Sequence, residues 1–344
     1  MRNVVNAHNN VRGDNVKRIK RMFAALTLAV IALTFSGCMS EWLSSDRGET
    51  WVAKEDLPKL PEKLETDRAT GIPSLKVYDT SEDRVQTMDI ENYVMGVVAG
   101  EMKNDWPMEA LKAQAILART FVLKFCEDKK SKYKGADIST DVTEAQAYDA
   151  TSINDRVRQA VRETEGLVMS HQGEYPYAWF HAHAGGKTEL PSVALDYKDG
   201  DPAYLKPVES QESEKAPESA RKWTATFDAD EVVRACADAG LKIESLSSIE
   251  AGERGESGRL KTIIINGESV SAPSFRIQIG ANKLRSTLID SISLENGIVI
   301  FEGRGFGHGV GMSQWGAYAM AERGDDAETI IRHYFIDVDI VGLW

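Results

Sequence analysis

Residues 88–123 read MDIENYVMGVVAGEMKNDWPMEALKAQAILARTFVL. In the first part of this stretch apolar residues recur at helical spacing, which predicts a helix over Asp89–Gly100. A second helix is predicted over Pro107–Phe125, because proline favours the first position of a helix. The chain should therefore build its core on a pair of helices, joined by a short connection that begins at Glu101.

The second predicted helix is apolar on almost every side, which is typical of a helix in the centre of a domain. Gln114 and Arg119 are the polar exceptions within it. An unpaired guanidinium among apolar side chains would be strongly unfavourable. We therefore expect Arg119 to pair with a buried carboxylate.

Helix and strand patterns are mixed along the rest of the chain, which predicts an α+β fold. Side chains at Tyr177–Ala184 alternate as in a strand with two different faces. The acidic run ESQESEKAPESAR, between Pro207 and Lys222, is poor in apolar residues and is expected to be an exposed loop. We predict one main domain over 74–344 with a cleft, and a smaller α/β subdomain inserted at 207–290. The further predicted elements are strands at Leu75–Tyr78, Thr262–Ile265 and Phe275–Ile279 and helices near Asp230–Ala239, Ser313–Glu322 and Thr329–Tyr334.

Composition limits the possible partners. The 344 residues are 42% hydrophobic, enough to bury a globular core, and the formal net charge is −12. Such an acidic chain has no basic field to attract phosphates, so no nucleic acid is expected as a partner. Cys126 and Cys236 could pair outside the cytoplasm or could be two small buried groups, and the sequence leaves both possibilities open.

The N-terminus has the layout of an export signal. Basic residues at Lys17–Arg21 precede the apolar run Met22–Phe35. This run is shorter than the roughly 20 residues that a membrane-spanning helix needs. Residues 35–38, FSGC, resemble a lipoprotein processing site, at which Cys38 would be lipidated. The alternatives are a retained membrane helix over Phe23–Trp42 and plain secretion.

Residues 1–38 are therefore predicted to be a lipoprotein-type signal peptide or an N-terminal membrane anchor. Residues 39–73 are polar, with Pro58 and Pro61, and are predicted to be a linker. Every one of these alternatives places the remaining chain outside the cytoplasm.

Glu101 is the carboxylate with the most unusual surroundings in the sequence. It could be an ordinary solvated charge after a helix. Its neighbours, however, are mostly apolar, and burial among them would raise the pKa of the carboxyl group toward the range of a general acid. These neighbours are Val97, Val98, Met102, Trp106 and Pro107.

Glycine occupies every second position from Gly303 to Gly311. In an extended segment this pattern would put the intervening side chains on one face and bare backbone on the other, where a large group could approach. The run does not fit a dinucleotide-binding loop, because Met312 stands where the third glycine of GxGxxG belongs. The run Gly186–Thr188 does not fit a phosphate-binding loop either, because His181 stands at the first glycine of that motif.

His181 and His183 share a face of their predicted strand, at a spacing of roughly 7 Å. Such a pair could bind zinc, as in a metal-dependent hydrolase. However, no HExxH motif and no well-spaced third ligand accompany the two histidines. We therefore expect neither a metal site nor another cofactor.

Three segments together resemble the stage II sporulation protein D family of peptidoglycan lytic transglycosylases and amidase enhancers. They are residues 88–123, WFHAHAGGKTE at Trp179–Glu189 and GRGFGHGVGMSQWGAYAMA at Gly303–Ala321. The resemblance implies an enzyme that cleaves the β-1,4 bond between N-acetylmuramic acid and N-acetylglucosamine and leaves a 1,6-anhydro end. The glutamate of the family's VVAxEM motif, its catalytic acid, corresponds to Glu101.

This chemistry agrees with the number of candidate carboxylates. Hydrolytic glycosidases generally use two carboxylates, whereas a lytic transglycosylase can use one, because the 6-hydroxyl of the sugar is its nucleophile. Glu189 and Asp196 keep plain hydrolysis open as an alternative. Several family members have zinc-associated cysteines at positions that are Ala145 and Ala184 here, which argues against zinc in this chain.

We expect a catalytic cleft with Glu101 on one wall and the segments 179–189 and 304–315 on the other. Polar side chains would hydrogen-bond sugar groups, and aromatic rings would stack on sugars. The predicted substrate-binding residues are Arg119, Gln146, Tyr148, Trp179, His181, Lys187, His308, Gln314 and Trp315.

Two other functions remain possible on the sequence. The first is a non-catalytic wall-binding protein that stimulates a wall amidase, which the resemblance also implies. The second is the metal-dependent hydrolase that would use His181 and His183. The process, whether sporulation with engulfment, division or wall turnover, is left open.

Overall fold

The computed structural model describes residues 57–344. The predicted signal peptide, the lipidation site Cys38 and the first part of the predicted linker lie outside these residues and stay predictions. Within the described residues, no helix is both long and apolar enough to cross a membrane.

Helices and short strands alternate along the described chain. The strands are β1 (Glu65–Thr66), β2 (Pro73–Asp79), β3 (Arg84–Asp89), β4 (Ile138–Ser139), β5 (Leu167–Ser170), β6 (Phe180–His181), β7 (Trp223–Asp228), β8 (Ile249–Ala251), β9 (Thr262–Ile265), β10 (Glu268–Ser271), β11 (Ile289–Glu295), β12 (Ile298–Gly303), β13 (Met312–Ser313) and β14 (Asp339–Gly342). The helices are α1 (Ile90–Glu101), α2 (Met108–Asp128), α3 (Asp155–Glu163), α4 (Pro191–Ala194), α5 (Glu218–Arg221), α6 (Ala229–Asp238), α7 (Ala272–Gly280), α8 (Gln314–Arg323) and α9 (Ala327–Tyr334), with a 3₁₀ turn at Ala150–Ser152. The α+β class is confirmed.

The helix pair α1 and α2 forms the centre of the main core. The side chain of Asp89 caps α1 by accepting a hydrogen bond from the Asn92 backbone N–H at 2.7 Å. Pro107 precedes α2, which is buried along most of its length and packs against α1, α3, α8 and α9. The prediction of a central buried helix is confirmed.

A small sheet contacts both helices of this pair. Its order is β1-β2-β3, all antiparallel, and β4 pairs with β2 in parallel. The β1–β2 register aligns Glu65 with Ser74, and the preceding Leu64 is buried. The segment predicted as a linker over 39–73 is therefore part of the folded unit from Pro58 onward, because strand pairing and an apolar anchor attach it to the domain.

A second antiparallel sheet, of order β11-β12-β7, has a hydrophobic cluster of its own. This cluster extends from Trp223 to Phe301, so it begins and ends later than the predicted boundaries 207 and 290. The description of this part as an inserted subdomain stays a prediction.

The predicted strand at Phe275–Ile279 is wrong. These residues lie in α7, which begins after Ser271, whose side chain accepts a hydrogen bond from the Ser274 N–H at 3.3 Å. Pro273 lies in the first turn, where proline favours a helix. The β-branched residues of Phe275–Ile279 favour a strand, but the capping serine and the proline before them favour a helix, and the helix forms.

The alternating glycines predicted that segment 303–311 is an extended strand, and this prediction is wrong. The φ angles of Gly305, Gly307, Gly309 and Gly311 are all positive, between 68° and 101°, a backbone conformation that favours glycine. A Cβ at Gly307 would lie 2.8 Å from the Cβ of His181, and a Cβ at Gly309 would collide with the Arg259 guanidinium. The sequence analysis expected a large group against this bare backbone. In the structure, the groups that lie there are side chains of the same chain, His181 and Arg259.

Candidate active site

Glu101 is the last residue of α1, and its carboxylate is held by two other parts of the chain. One oxygen accepts a hydrogen bond from the Ala147 backbone N–H at 2.7 Å. The other oxygen lies 3.4 Å from the side-chain nitrogen of Gln314, the first residue of α8. Three distant segments of the sequence thus meet at one carboxylate.

Opposing effects act on the acidity of Glu101. Burial raises the pKa of this carboxyl group above its ordinary value, and this is the largest effect. The hydrogen bonds from Ala147 and Gln314 favour the charged form and partly oppose the rise. A carboxylic acid that keeps its proton to higher pH is suited to proton donation near neutral pH.

Glu101 is one of the residues that line an open depression of about 450 Å³. Its wall is the end of α1 and the connection that follows, residues 99–105, with Ser152 on the other side. Lys103, Asn104 and Asp105 supply polar groups around the opening. A polar ligand can therefore reach Glu101 from solvent.

The segment 145–149 lies directly on α1 because two glycines leave room for it. A Cβ at Gly100 would lie 2.7 Å from the backbone nitrogen of Tyr148, and a Cβ at Gly96 would collide with the Tyr148 ring. The Asp149 N–H also donates to the Gly96 carbonyl at 2.9 Å. This close packing holds the Ala147 N–H in position to donate to Glu101.

The predicted site residues Gln146 and Tyr148 belong to this segment. Gln146 is buried, and neither polar atom of its side chain has a hydrogen-bond partner within the described residues. Tyr148 is partly exposed and stacks on Tyr93, with ring centroids 5.5 Å apart. The structure thus brings both residues close to Glu101.

A second amide lies beside the glutamate. The Gln314 side-chain nitrogen is 3.4 Å from Glu101 Oε2 and also 3.4 Å from Gln114 Oε1. Gln114 is fully buried in α2. This polar contact explains one of the two polar exceptions in the central helix.

Arg119, the other exception, lies in the core and away from any ligand surface. Its side chain has 0% exposure and makes a bidentate pair with Glu91, at 3.0 and 2.6 Å, and donates to the Leu167 carbonyl at 2.8 Å. The predicted pairing with a buried carboxylate is confirmed. A guanidinium with these contacts is placed to hold α1 against α2, and a glycan cannot reach it.

The two predicted tryptophans lie apart from each other. Trp315 is buried against Trp106, with ring centroids 4.4 Å apart. Trp179 stacks on Tyr177 at 4.9 Å and lines a separate pocket of about 370 Å³. That pocket is lined by the last turns of α2 and lies roughly 15 Å along the helix from Gln114, at 1.5 Å per residue.

His181 and His183 form a largely buried cluster with His308 of the glycine-rich segment. The rings of His181 and His308 are 5.6 Å apart between centroids. Burial, with nearby positive charge from Arg259, lowers the pKa of all three, to about 4 for His183 and about 3 for His308. The three imidazoles are therefore neutral at physiological pH.

Two of these histidines make backbone hydrogen bonds through one ring nitrogen each. Across residues 57–344, no three side chains of the His, Cys, Asp and Glu types are arranged to hold a metal ion. The His181 Nδ1–H donates to the Val310 carbonyl at 3.1 Å, and His183 Nδ1 accepts from the Gly185 N–H at 3.0 Å. His181 and His183 thus each use Nδ1 for a backbone contact, and the Nε2 atom of each is buried without a hydrogen-bond partner among the described residues.

Lys187 and the two alternative carboxylates are engaged elsewhere. The Lys187 ammonium lies 2.5 Å from a carboxylate oxygen of Glu256. The buried Glu189 carboxylate accepts from the backbone and the hydroxyl of Ser257, at 2.9 and 2.8 Å. Asp196 pairs with Lys198 at 2.5 Å. None of these contacts involves Glu101 or the residues that hold it.

No pattern in the sequence pointed to Glu212, which the structure places beside Ala184 and Ser313. The residue lies in the acidic run that was expected to be exposed, yet its side chain is only 9% exposed. Its carboxylate accepts from the Ala184 N–H and the Ser313 hydroxyl, both at 2.9 Å. Burial raises the pKa of Glu212 to about 7. Nothing in the run separates it from the other glutamates, because burial there depends on tertiary contacts.

Cys126 and Cys236 are both free and buried. Of the two possibilities that the sequence left open, the structure shows unpaired cysteines.

Comparison with known proteins identifies the family of this chain. Residues 78–171, which include Glu101 and Ala147, match the family described as stage II sporulation protein, and residues 201–311 match a domain of unknown function. Stage II sporulation protein D of Bacillus subtilis is 32% identical over 79% of this chain and 79% of its own length. The protein of the same name from Bacillus amyloliquefaciens is 31% identical over 78% of each chain. An amidase enhancer of Bacillus subtilis is 26% identical over 70% of this chain and 39% of its own length.

Two of these relatives exceed 30% identity over more than three quarters of both chains. This chain therefore belongs to the stage II sporulation protein D family.

Proposed function

We propose that this protein is a peptidoglycan lytic transglycosylase with a role in remodelling the bacterial cell wall. The observation that carries the proposal is Glu101: a carboxyl group with a raised pKa, open to a polar depression and held by Ala147 and Gln314. Membership of a sporulation-protein family supports a wall-related role.

One carboxyl group is sufficient for the reaction. Glu101 donates its proton to the glycosidic oxygen between N-acetylmuramic acid and N-acetylglucosamine while the bond from that oxygen to C1 breaks. The C6 hydroxyl of the muramic acid then bonds to C1, and its proton returns to Glu101. The product is a 1,6-anhydro end, no water is consumed, and the glutamate regains its starting state.

The Ala147 N–H and Gln314 have a defined part in this cycle. After proton donation Glu101 is a carboxylate, and both donors stabilise that charge through hydrogen bonds. They also fix the orientation of the carboxyl group between the two steps. Tyr148, on the adjacent segment, is partly exposed and can contact sugar hydroxyls or N-acetyl groups, whereas the side chain of Gln146 is buried and out of reach of a glycan.

The test is mass analysis of the products from purified peptidoglycan. We expect fragments with anhydro ends from the wild type, and the same fragments plus one water would indicate hydrolysis instead. Glu101→Gln should lower cleavage by about 10²–10⁴-fold, the contribution of general acid catalysis. A loss smaller than about tenfold would remove Glu101 from this role.

A second function, stimulation of a wall amidase, is favoured by the similarity to an amidase enhancer. A substitution of Glu101 distinguishes the two functions. If the protein stimulates an amidase by binding, Glu101→Gln should keep the stimulation and lose only glycan cleavage. Stimulation that disappears together with cleavage would mean that the amidase needs cut strands.

We also propose that the enzyme acts outside the cytoplasm and is attached to the membrane through residues 1–38, by a lipid at Cys38 or by a retained helix. Peptidoglycan lies on that side of the membrane, so the predicted export would bring the enzyme to its proposed substrate.

A further inference from the structure

A chain of hydrogen bonds leads from the buried Glu212 to the candidate catalytic glutamate. The Glu212 carboxylate accepts from the Ser313 hydroxyl at 2.9 Å and from the Ala184 N–H at 2.9 Å. The neutral imidazole of His183 makes no hydrogen bond to it, because the His183 Nε2 lies 4.0 Å from Oε2. Both Glu212 oxygens are thus committed to groups that flank the site.

Ser313 connects Glu212 to the first turn of α8. Its hydroxyl oxygen caps the helix by accepting from the Gly316 N–H at 3.3 Å, and also accepts from the Ala184 N–H at 3.2 Å. A hydroxyl has a single hydrogen, and with its oxygen accepting here, that hydrogen is directed to Glu212. The carboxylate therefore orients the cap from which α8 begins.

Gln314 is the next residue, and its side-chain nitrogen lies 3.4 Å from Glu101 Oε2. This distance is at the long end for a hydrogen bond, so a displacement of roughly a few tenths of an ångström would decide whether it forms. The position of the first turn of α8 consequently controls one of the two donors to Glu101.

We propose that Glu212 is a positioning residue: through Ser313 it holds the start of α8 where Gln314 donates to Glu101. The inference rests on the proposed function for its catalytic consequence. Glu212 does not act on the substrate itself, because its carboxylate is held by hydrogen bonds from Ala184, Ser313 and the Ser210 side chain.

The hydrogen-bond chain from Glu212 to Gln314 predicts a change in the pKa of Glu101. Loss of the Gln314 donor removes an interaction that favours the charged carboxylate, so the pKa of Glu101 should rise. Misplacement of the donor should also lower kcat by about tenfold to hundredfold, with KM nearly unchanged. A general loss of stability would lower the active fraction and leave the pKa of Glu101 where it was.

The experiment uses the full-length chain in detergent, labelled with ¹³C at the glutamate carboxyl carbons. Glu101 is identified from the resonance missing in Glu101→Gln, and its pKa is followed by NMR titration in Glu212→Ala, Ser313→Ala and Gln314→Ala. The same variants are assayed on solubilised glycan strands. Glu214→Ala is the matched control, since Glu214 is an exposed glutamate of the same segment.

We expect the three variants to raise the pKa of Glu101 and to lower kcat, and the control to do neither. The double variant Glu212→Ala/Gln314→Ala should be no worse than Gln314→Ala alone, because both changes remove the same contact. If Glu212→Ala fails to fold, Ser313→Ala tests the same link with the carboxylate in place.

The outcomes separate the two proposals. An unchanged pKa of Glu101 in folded Glu212→Ala or Ser313→Ala, or fully additive effects in the double variant, would overturn the positioning role. A raised pKa in a protein whose wild type cuts no glycan would support the positioning link and reject the transglycosylase.

Discussion

At the scale of the residue, Glu101 combines two requirements that oppose each other. Its carboxyl group must be buried enough for the pKa to rise, yet must be open to a substrate oxygen. The structure meets both by placing it at the end of α1, with apolar helix on one side and a polar depression on the other. The two donors, Ala147 and Gln314, limit the rise in pKa and stabilise the carboxylate after proton transfer.

This arrangement predicts a pH-dependent effect on stability. Because the folded-state pKa of Glu101 is raised, the folded protein holds this proton more tightly than the unfolded chain, and the free energy of unfolding falls as pH rises through the folded pKa. Glu101→Gln has no such charge. We expect the variant to be more stable than wild type at about pH 7, with the difference shrinking toward about pH 4.

Thermal unfolding at the two pH values measures this difference. Glu214→Gln, at an exposed position, serves as the control and should match wild type at both. A Glu101→Gln variant less stable than wild type at about pH 7 would show that the donors outweigh burial.

At the scale of the element, α1 carries glycines on the face that touches the segment 145–149. Gly→Ala inside a helix ordinarily stabilises it by roughly 0.5–1 kcal/mol. At Gly100 we expect the opposite, because the added Cβ would lie 2.7 Å from the Tyr148 nitrogen and 2.8 Å from the Ala147 carbonyl carbon. Gly100→Ala should therefore lower both the melting temperature and cleavage.

Gly96→Ala is the matched variant in the same helix. There the added Cβ meets only the far end of the Tyr148 ring, which can rotate away, and the Ala147 N–H can stay in place. We expect Gly96→Ala to retain more activity than Gly100→Ala when both are assayed on the same glycan. Equal losses would mean that Tyr148 itself, and not the Ala147 backbone, is what the packing positions.

The glycine-rich segment allows a second comparison at this scale. Gly309 and Gly240 have similar positive φ angles, 90° and 96°, but only Gly309 has a neighbour in the way, the Arg259 guanidinium. Alanine adds the same backbone strain at both positions, roughly 1 kcal/mol or more. Gly309→Ala should therefore lower the free energy of unfolding by more than Gly240→Ala does in urea titrations, and equal effects would remove the Arg259 contact as a cause.

At the scale of the whole molecule, residues 58–344 form one compact unit that includes part of the polar segment before β2. What attaches this unit to the membrane is predicted to be the N-terminal part of the chain. Cys38→Ser should release the protein from the membrane fraction or leave it as an unprocessed precursor, as fractionation and mass measurement would detect. An unchanged mature mass with unchanged membrane partition would favour a retained helix over lipidation.

Local patterns in the sequence determined much of this protein. Helical spacing in residues 88–123 predicted α1 and α2, the buried pair of Arg119 was expected, and the apolar neighbours of Glu101 predicted its raised pKa. The two helices and the apolar neighbours of Glu101 involve residues close together in the chain, so periodicity and composition indicate them. The pairing of Arg119 was expected for another reason, the cost of an unpaired charge in a buried helix. The motifs shared with the sporulation family also follow from sequence alone.

Tertiary structure alone decided which groups surround Glu101. The Ala147 donor is 46 residues away along the chain and the Gln314 donor 213 residues away. From the sequence, Glu212 was expected to be one of several exposed glutamates, but its side chain is nearly buried. Trp179 was predicted to lie in the catalytic cleft, but it lines another pocket. The need for glycine at position 309 was not predicted either, because the group that a Cβ would meet there is Arg259, a side chain distant in sequence. Contacts between distant segments arise only when the chain packs, and no local pattern encodes them.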